Sequence, residues 1–323
     1  MAEQLMGSLP QDRVNANRVF SITGIDLCGP FSIKQSRIRK AIETKAYIVV
    51  FVCFAVKAIH LEVLSDMTTQ NFLAGLKRFI SRRGKPSKIY CDNGGTFVGS
   101  NLELNKLYDR AKSHGNQIID YAANEGIEFK FIPSYSPVFG GLWEAGVKST
   151  KFHLKRIAGK ALLTYEQLNT IVVEIEGILN SRPITQITND PSDLSYLTPA
   201  HFLIGVPITS YPQPDLTLIP ENRVNYWQRC IKMQQQFWEK WHKSYLTMLQ
   251  NRPKWQQNRP NLQENMLVVL KEDNIPPLYW PMGRITKIIY GKDQKVRVVE
   301  VKTQKGTYLR TLSKVAVLPI NNL

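Results

Sequence analysis

Runs of apolar residues in the first half of the chain predict the strands of one sheet. Residues 47–54 are continuously apolar, β-branched and aromatic, which predicts a central strand buried on both faces. Residues 58–63 follow as a hairpin partner. Further strands are predicted at residues 19–25, 88–92 and 128–132. The first of these ends at Asp26 and is broken by Gly29-Pro30. Early strands followed by strand-helix alternation predict an α/β protein with a mixed sheet flanked by helices.

Helical spacing of apolar residues marks the segments between and after these strands. Thr68 or Thr69 caps a helix that ends before Gly84-Lys85-Pro86. Its apolar positions at helical spacing are Phe72, Leu73, Leu76, Phe79 and Ile80. A polar helical stretch is predicted over residues 101–123, and a long helix over 142–158. A further helix, over 165–181, begins with the capping box of Thr164 and Gln167.

The last third of the chain has a different pattern. Residues 207–220 are punctuated by proline and predict a linker, which is followed by an amphipathic helix over 227–249. Residues 266–318 contain short strands at the spacing typical of a small β-barrel. We therefore expect a leader or linker over residues 1–18, an α/β core over 19–205, a linker and amphipathic helix over 206–262, and a small β-barrel over 263–323.

Charge points to a polyanionic partner. The chain has 42 Lys and Arg against 26 Asp and Glu, a net charge of +16. Residues 221–323 hold 18 of the basic and 7 of the acidic residues, net +11, which leaves 24 against 19, net +5, for residues 1–220. This distribution favours nucleic-acid binding by the last third, although a solvated basic surface or contact with a membrane surface fits it as well.

The cysteines and the amino terminus indicate a soluble intracellular protein. Cys28, Cys53, Cys91 and Cys230 are far apart and form no Cys-x-x-Cys pair, so neither a disulfide framework nor a zinc site is indicated. Residues 1–15 lack the apolar segment of a signal peptide, and no apolar run is long enough to cross a bilayer.

Three acidic residues are the candidate chemistry. Asp26 and Asp92 end predicted strands, and Glu144 lies in the first turn of the helix predicted over residues 142–158. If the two strands are neighbours, the three carboxylates converge and need divalent cations to offset their repulsion, with Mg²⁺ preferred and Mn²⁺ as a substitute. Taken singly, Asp92 also fits a turn and Glu144 a favourable helix-dipole partner.

Cations share the face of Glu144. Lys148, Lys151 and Lys155 follow it at four, seven and eleven positions, so all three lie on one side of the helix, where phosphates at the metal ions would meet them. A solvated basic face is the alternative interpretation. The basic runs at residues 37–40 and at 77–78 with 82–85 are expected to be mainly solubilising, although the second could follow backbone phosphates.

These motifs together resemble the catalytic core of retroviral and retrotransposon integrases. The resemblance rests on Gly-Ile-Asp-Leu at 24–27, Ile-Tyr-Cys-Asp-Asn-Gly-Gly-Thr-Phe at 89–97, and Ile-Pro-Ser-Tyr-Ser-Pro at 132–137 running into Gly-Gly-Leu-Trp-Glu at 140–144. It covers residues 19–205, and the proline, Gly-Gly and Leu-Trp-Glu details look most like the BEL/Pao class of long-terminal-repeat retrotransposons. The C-terminal stretch 276–285, which includes Arg284, is similar to the small barrel that closes BEL/Pao integrases.

The resemblance implies a fold and an activity. The core would be an RNase H-like domain with a mixed five-stranded sheet, in which Asp26, Asp92 and Glu144 hold two Mg²⁺ or Mn²⁺ ions. The reaction would be 3′-end processing of element DNA and its strand transfer into target DNA, with Lys148 and Lys151 at the element ends. Lys155 and the barrel with Arg284 are expected to bind DNA, and the barrel also chromatin. A homo-oligomer acting in the nucleus, and cytoplasmic before nuclear entry, is implied.

Two departures from the integrase pattern leave alternatives open. Asp92 and Glu144 are 144 − 92 = 52 positions apart, a longer spacing than in retroviral relatives and one that BEL/Pao relatives share. No His-His-Cys-Cys cluster precedes Asp26, so the chain is expected to lack the amino-terminal zinc domain that helps to assemble the integrase multimer. A polyprotein fragment, a decayed copy and a host gene derived from an element all fit. A catalytically idle DNA- or chromatin-binding protein and an RNase H-like nuclease without joining activity are the functional alternatives.

Overall fold

The chain forms two compact units, Met1–Glu176 and Gly177–Leu323. The computed structural model describes residues 11–15, 17–36, 38, 40–112, 126–131, 151–157, 162–250, 262–291 and 296–318. The division falls within the predicted core, and the predicted domain boundaries stay predictions.

The first unit is built on a mixed sheet. Its strands are β1 (Ile22–Lys34), β2 (Glu43–Cys53), β3 (Ile59–Leu64), β4 (Lys88–Cys91), β5 (Glu128–Phe131) and the two-residue β6 (Leu163–Thr164). The order is β3-β2-β1-β4-β5, and β6 pairs with β1. β1, β2 and β3 are antiparallel, while β4 and β6 are parallel to β1 and β5 is parallel to β4. The predicted mixed α/β architecture is therefore confirmed, whereas its assignment as an RNase H-like core stays a proposal.

Burial explains why β2 lies in the middle of the antiparallel part. Every residue from Ile48 to Cys53 is buried, as the continuous apolar run predicts. The interpretation of β1 was wrong at its end. The strand continues through Asp26 and through Gly29-Pro30 to Lys34, with a register shift between Cys28 and Phe31, so Asp26 lies within the strand.

The helices of the first unit are α1 (Gln11–Val14), α2 (Thr69–Arg83), α3 (Gly95–Lys112) and α4 (Tyr165–Asn180), which begins here and ends in the second unit. The Thr68 side chain accepts the Asn71 backbone N–H, which confirms the predicted cap of α2. Thr164 and Gln167 exchange hydrogen bonds at 3.1 and 3.3 Å, which confirms the capping box of α4. Phe79 of α2 stacks on Phe51 of β2 with ring centroids 4.2 Å apart.

A buried charge network ties α2 and α4 to strand β3. The Nε2 and Nδ1 atoms of His60 lie 3.1 Å from carboxylate oxygens of Glu62 and Glu176 respectively. Glu62 also accepts hydrogen bonds from the guanidinium groups of Arg78 and Arg82 in α2. Glu176 accepts a hydrogen bond from the guanidinium group of Arg83, in the same helix. His60 is 1% exposed and Glu62 4%. We call these six residues the His60 network.

The second unit ends in an antiparallel sheet. Its strands are β9 (Leu267–Leu270), β10 (Met282–Tyr290), β11 (Val296–Thr303), β12 (Gly306–Thr311) and β13 (Val315–Val317), in the order β12-β11-β10-β9-β13. The short strands β7 (Thr185–Gln186) and β8 (Tyr196–Leu197) form a separate pair. The strand spacing therefore predicted four strands of this sheet, and β13 is the strand that it did not predict. The closed barrel stays a proposal.

A long helix, α6 (Tyr226–Leu249), packs its aromatic stripe within the second unit, which also contains the short α5 (His201–Ile204). The indole of Trp280 meets the rings of Trp238, Trp241 and Tyr245 edge to face at 4.9 to 6.2 Å, and its Nε1 donates to Ser181 Oγ at 3.2 Å. The predicted amphipathic helix is thus a core helix of this unit. Within the described residues, no helix is both long and apolar enough to cross a bilayer.

Candidate active site

Asp26 lies on β1, and Asp92 directly follows β4, the neighbouring parallel strand. β1 and β4 pair in the register Ile22↔Lys88 and Gly24↔Tyr90, a constant offset of 66 positions. Asp26 and Asp92 follow the last of these pairs by two residues each and keep the same offset, 92 − 26 = 66. Because residues two apart on a strand share a face, this register, continued by two residues, would direct both carboxylates to one face of the sheet.

Asp92 begins the turn that leads from β4 into α3. Its Oδ1 accepts the backbone N–H of Gly94 at 3.0 Å, and the side chain is exposed. A Cβ on Gly94 would lie 3.0 Å from the same carboxylate oxygen, so glycine leaves room for the bend. The turn interpretation and the site interpretation of Asp92 are therefore compatible, since Oδ2 is not used by this hydrogen bond.

Asp26 is held by a lysine from the helical segment 151–157. Lys151 Nζ donates to Asp26 Oδ2 at 2.5 Å, and each side chain is 27% exposed. The other carboxylate oxygen, Oδ1, accepts the Leu27 backbone N–H at 2.7 Å. The structure thus brings together Asp26 and a lysine that the sequence places on the face of Glu144.

Lys155 lies one turn further along the same segment and is exposed. Its charge reaches the strand: burial raises the pKa of the Cys28 thiol to about 11, while the Lys151 and Lys155 ammonium groups act in the opposite direction. Cys28 follows Asp26 by two positions on β1 and shares its face. The ammonium groups of Lys151 and Lys155 therefore both act on this part of β1.

Glu144 and Lys148, the other two residues predicted on this helix face, lie outside the described residues. Among the residues that the structure describes, no group of three or more His, Cys, Asp or Glu side chains could hold a metal ion. Two carboxylates on one face, one of them already beside an ammonium group, form a donor set that suits a hard divalent cation once a third carboxylate completes it. Asp26 and Asp92 have the carboxylate chemistry that Mg²⁺ and Mn²⁺ prefer, and the metal site itself stays a proposal.

A second polar cluster on the same sheet face escaped the sequence analysis. Asp12 of α1 accepts hydrogen bonds from Tyr90 Oη at 2.7 Å and from Lys88 Nζ at 3.1 Å. Tyr90 precedes Asp92 by two positions, and burial together with the Asp12 carboxylate raises the pKa of Tyr90 to about 12. The only signal in the sequence was the alternation of Lys88, Tyr90 and Asp92 on one strand face; Asp12 lies in the segment predicted as a leader.

Arg284 has a structural environment. It is 3% exposed, and its guanidinium donates to the backbone carbonyls of Asn265 at 2.8 Å and Asp193 at 2.6 Å. These bonds tie strand β10 to two loops of the second unit. A guanidinium so covered has no free surface for a phosphate, which corrects the predicted DNA contact, and Arg284 is not among the contacts proposed below.

Replacing Arg284 with Met should therefore lower stability and leave DNA affinity unchanged. Two hydrogen bonds from a buried guanidinium to backbone carbonyls would be lost, which predicts a loss of about 2–3 kcal/mol in the free energy of unfolding. Urea denaturation of the full chain measures it, with the exposed Lys287→Met on the same strand as the control, expected within about 0.5 kcal/mol of wild type. Weakened DNA binding at unchanged stability would contradict this assignment.

Comparisons with known proteins add a family match over the second unit. The model described as "Family of unknown function (DUF5641)" matches residues 225–318, which contain α6 and the C-terminal sheet. No curated protein matches the chain significantly. A structural neighbour is a chain in the cryo-EM structure of the simian T-cell lymphotropic virus intasome in complex with PP2A regulatory subunit B56 gamma. The match has 12% identity, 99% coverage of this chain, 86% of that chain and a TM-score of 0.37. A likeness this weak carries no argument about activity.

Proposed function

We propose that this chain is an integrase-type polynucleotidyl transferase that cuts and joins DNA with divalent metal ions. The observation that carries the proposal is the register of β1 and β4, which if continued by two residues would direct Asp26 and Asp92 to one face. Lys151 donates to Asp26 on that strand. The Leu-Trp-Glu motif at Glu144, seven positions before Lys151, supports a third carboxylate there.

Each residue then has a role in the proposed site. Asp26, Asp92 and Glu144 would hold two Mg²⁺ or Mn²⁺ ions, which when bound activate the attacking oxygen and stabilise the leaving oxygen. Lys148, Lys151 and Lys155 would hold the phosphates of the DNA end. Lys151 has a long, partly exposed side chain, so its ammonium group can turn from Asp26 to a phosphate oxygen.

The finer assignment is to the BEL/Pao class of long-terminal-repeat retrotransposons. The motifs at residues 132–144 and the similarity of residues 276–285 to the BEL/Pao barrel support it. We further propose that the C-terminal unit binds DNA or chromatin, that the active form is a homo-oligomer on element ends and target DNA, and that it acts in the nucleus after a cytoplasmic phase.

A strand-transfer assay tests the proposal. The full chain is incubated with a pre-trimmed DNA end and target DNA in Mg²⁺ or Mn²⁺, alongside Glu144→Gln. We expect joined products from the wild type. The joining rate of the variant should be lower by at least about 10³-fold, equivalent to about 4 kcal/mol of transition-state stabilisation. Its DNA affinity should be unchanged. Equal activity of both proteins would refute the role of Glu144.

A second candidate function is DNA or chromatin binding without catalysis, favoured by the net charge of +11 over residues 221–323, from 18 basic and 7 acidic residues. It predicts salt-dependent DNA binding with no metal-dependent product from any substrate. A nuclease without joining activity would release hydrolysis products only. The same assay, run with and without target DNA, distinguishes the three functions by their products.

A further inference from the structure

The hairpin formed by β1 and β2 ends in a basic tip. Residues 34–45, which we call the hairpin tip, contain five basic residues and one acidic residue, net 5 − 1 = +4. The basic residues are Lys34, Arg37, Arg39, Lys40 and Lys45, of which Arg37 and Arg39 lie outside the described residues. The proposed catalytic site does not use this segment.

Two large apolar side chains are presented beside these charges. Ile38 is 70% exposed and Ile42 66%, and Lys40 and Lys45 are exposed as well. Main-chain hydrogen bonds shape the turn, from Gln35 N to Ile42 O at 3.2 Å and from Ala41 N to Ile38 O at 3.0 Å. A single exposed isoleucine is ordinary, but two on one shaped turn among cations form an amphipathic contact surface.

The base of the hairpin is anchored in the core. Phe31, Ile33 and Ala46 are 1%, 5% and 0% exposed. β6 adds a parallel pairing at Ile33↔Leu163 and Lys34↔Thr164. The tip is thus carried on a well-packed support, which lets it bind a partner with little additional ordering cost.

The hairpin tip also lies apart from the acid pair. Lys34 follows Asp26 by eight positions on the same strand, which at about 3.3 Å per residue is roughly 25 Å. A duplex engaged by the acids extends well beyond that distance, so its backbone can be contacted at both places.

We propose that the hairpin tip is a second DNA-binding site that holds the backbone of duplex DNA away from the catalytic face. Lys40 and Lys45 contact phosphates, and Ile38 and Ile42 make apolar contacts at the edge of a groove, a use of isoleucine known in DNA-binding proteins. The choice of DNA over other polyanions rests on the proposed function, because DNA is the polymer that the acids would act on.

Fluorescence anisotropy with a labelled DNA duplex in EDTA tests the site without any catalysis. The full-length Lys40→Gln/Lys45→Gln variant should bind roughly tenfold more weakly. Its slope of log affinity against log salt should be shallower by about 1.8, or 0.9 for each lost phosphate contact. Ile38→Ser/Ile42→Ser should lower affinity at an unchanged slope, because apolar contacts release no counterions.

The matched control is Lys106→Gln, compared with Lys40→Gln alone, because each removes one charge from an exposed lysine, of α3 and of the hairpin tip respectively. Equal losses of DNA affinity in the control and in the matching tip variant would overturn the proposal. A tip lysine variant that loses binding to phosphatidylserine vesicles but keeps its DNA affinity would overturn it as well. Because the assay contains no metal, the two proposals fail separately: a chain without joining activity can still lose DNA affinity through the tip variant.

Discussion

Replacing Asp26 with Asn should abolish metal-dependent DNA joining while DNA binding persists. The substitution keeps the size and the acceptor oxygen of the side chain but removes the charge that Lys151 balances at 2.5 Å. Losing one of three carboxylates should cost at least about 4 kcal/mol of transition-state stabilisation, roughly 10³-fold in rate. Strand-transfer kinetics with a pre-trimmed end measure this loss, and anisotropy measures binding.

The Asp26 prediction has a second readout and a close control. Mn²⁺ should raise the melting temperature of the wild type, because ligands that bind the folded state stabilise it, and should raise that of Asp26→Asn much less. Asp12→Asn removes a carboxylate that accepts hydrogen bonds from Tyr90 and Lys88 near the same strand. Its partly exposed ion pair contributes only about 0–1 kcal/mol to folding stability, so the fold should persist. The joining rate should therefore stay within about threefold of the wild-type rate. Equal rate losses in both variants would point to a general charge effect and against a metal site.

Local patterns predicted most elements of this fold because their signals are local. The apolar run at residues 47–54 indicates a buried strand wherever it lies, and the caps at Thr68 and Thr164 involve residues three positions apart. The end of β1 was wrong for the same reason. Gly29-Pro30 is a strong local breaker, yet pairing with β2 carries the strand past it with a shift in register.

The candidate site was only partly predictable, because its parts meet through pairing across the chain. The motifs selected Asp26 and Asp92 as candidates, but the offset of 66 positions that relates their two strands comes only from the pairing of β1 with β4. The ion pair of Lys151 with Asp26 joins residues 125 positions apart and had no local signal. Arg284 shows the converse, since a basic residue in a basic segment indicated DNA contact, whereas burial assigns it to two carbonyls.

Replacing Glu62 with Gln should destabilise the first unit by about 2–3 kcal/mol. Glu62 is 4% exposed and accepts hydrogen bonds from Arg78 and Arg82 at 2.6 and 2.7 Å, besides its contact with His60. Removing one partner of a buried ion pair costs about 3–5 kcal/mol, and the partial exposure of both arginines reduces that figure. Differential scanning calorimetry of the full chain gives the change for the transition of this unit.

The pH dependence of stability identifies the His60 network as the cause. Burial would lower the pKa of His60, but hydrogen bonds to Glu176 and Glu62 outweigh it and hold the pKa above the ordinary 6.5. Its contribution is therefore complete below about pH 6.5 and is lost as the pH rises through the raised value. Burial would raise the pKa values of Glu62 and Glu176, but hydrogen bonds from His60 hold both below the ordinary 4.5. The contribution of these two carboxylates to folding stability is therefore present above pH 4.5 and is lost as the pH falls through their lowered pKa values.

Stability of the wild type should thus be greatest between about pH 4.5 and 6.5, the window in which all three groups are charged. In Glu62→Gln the pKa of His60 loses one of its two supports, so the decline in stability above pH 6.5 should begin at a lower pH than in the wild type. Glu128→Gln is the control, because its pair with Lys130 is 48% exposed on both sides and should contribute no more than about 0.5 kcal/mol. A pH profile of Glu62→Gln parallel to that of the wild type would show that His60 is not charged through Glu62.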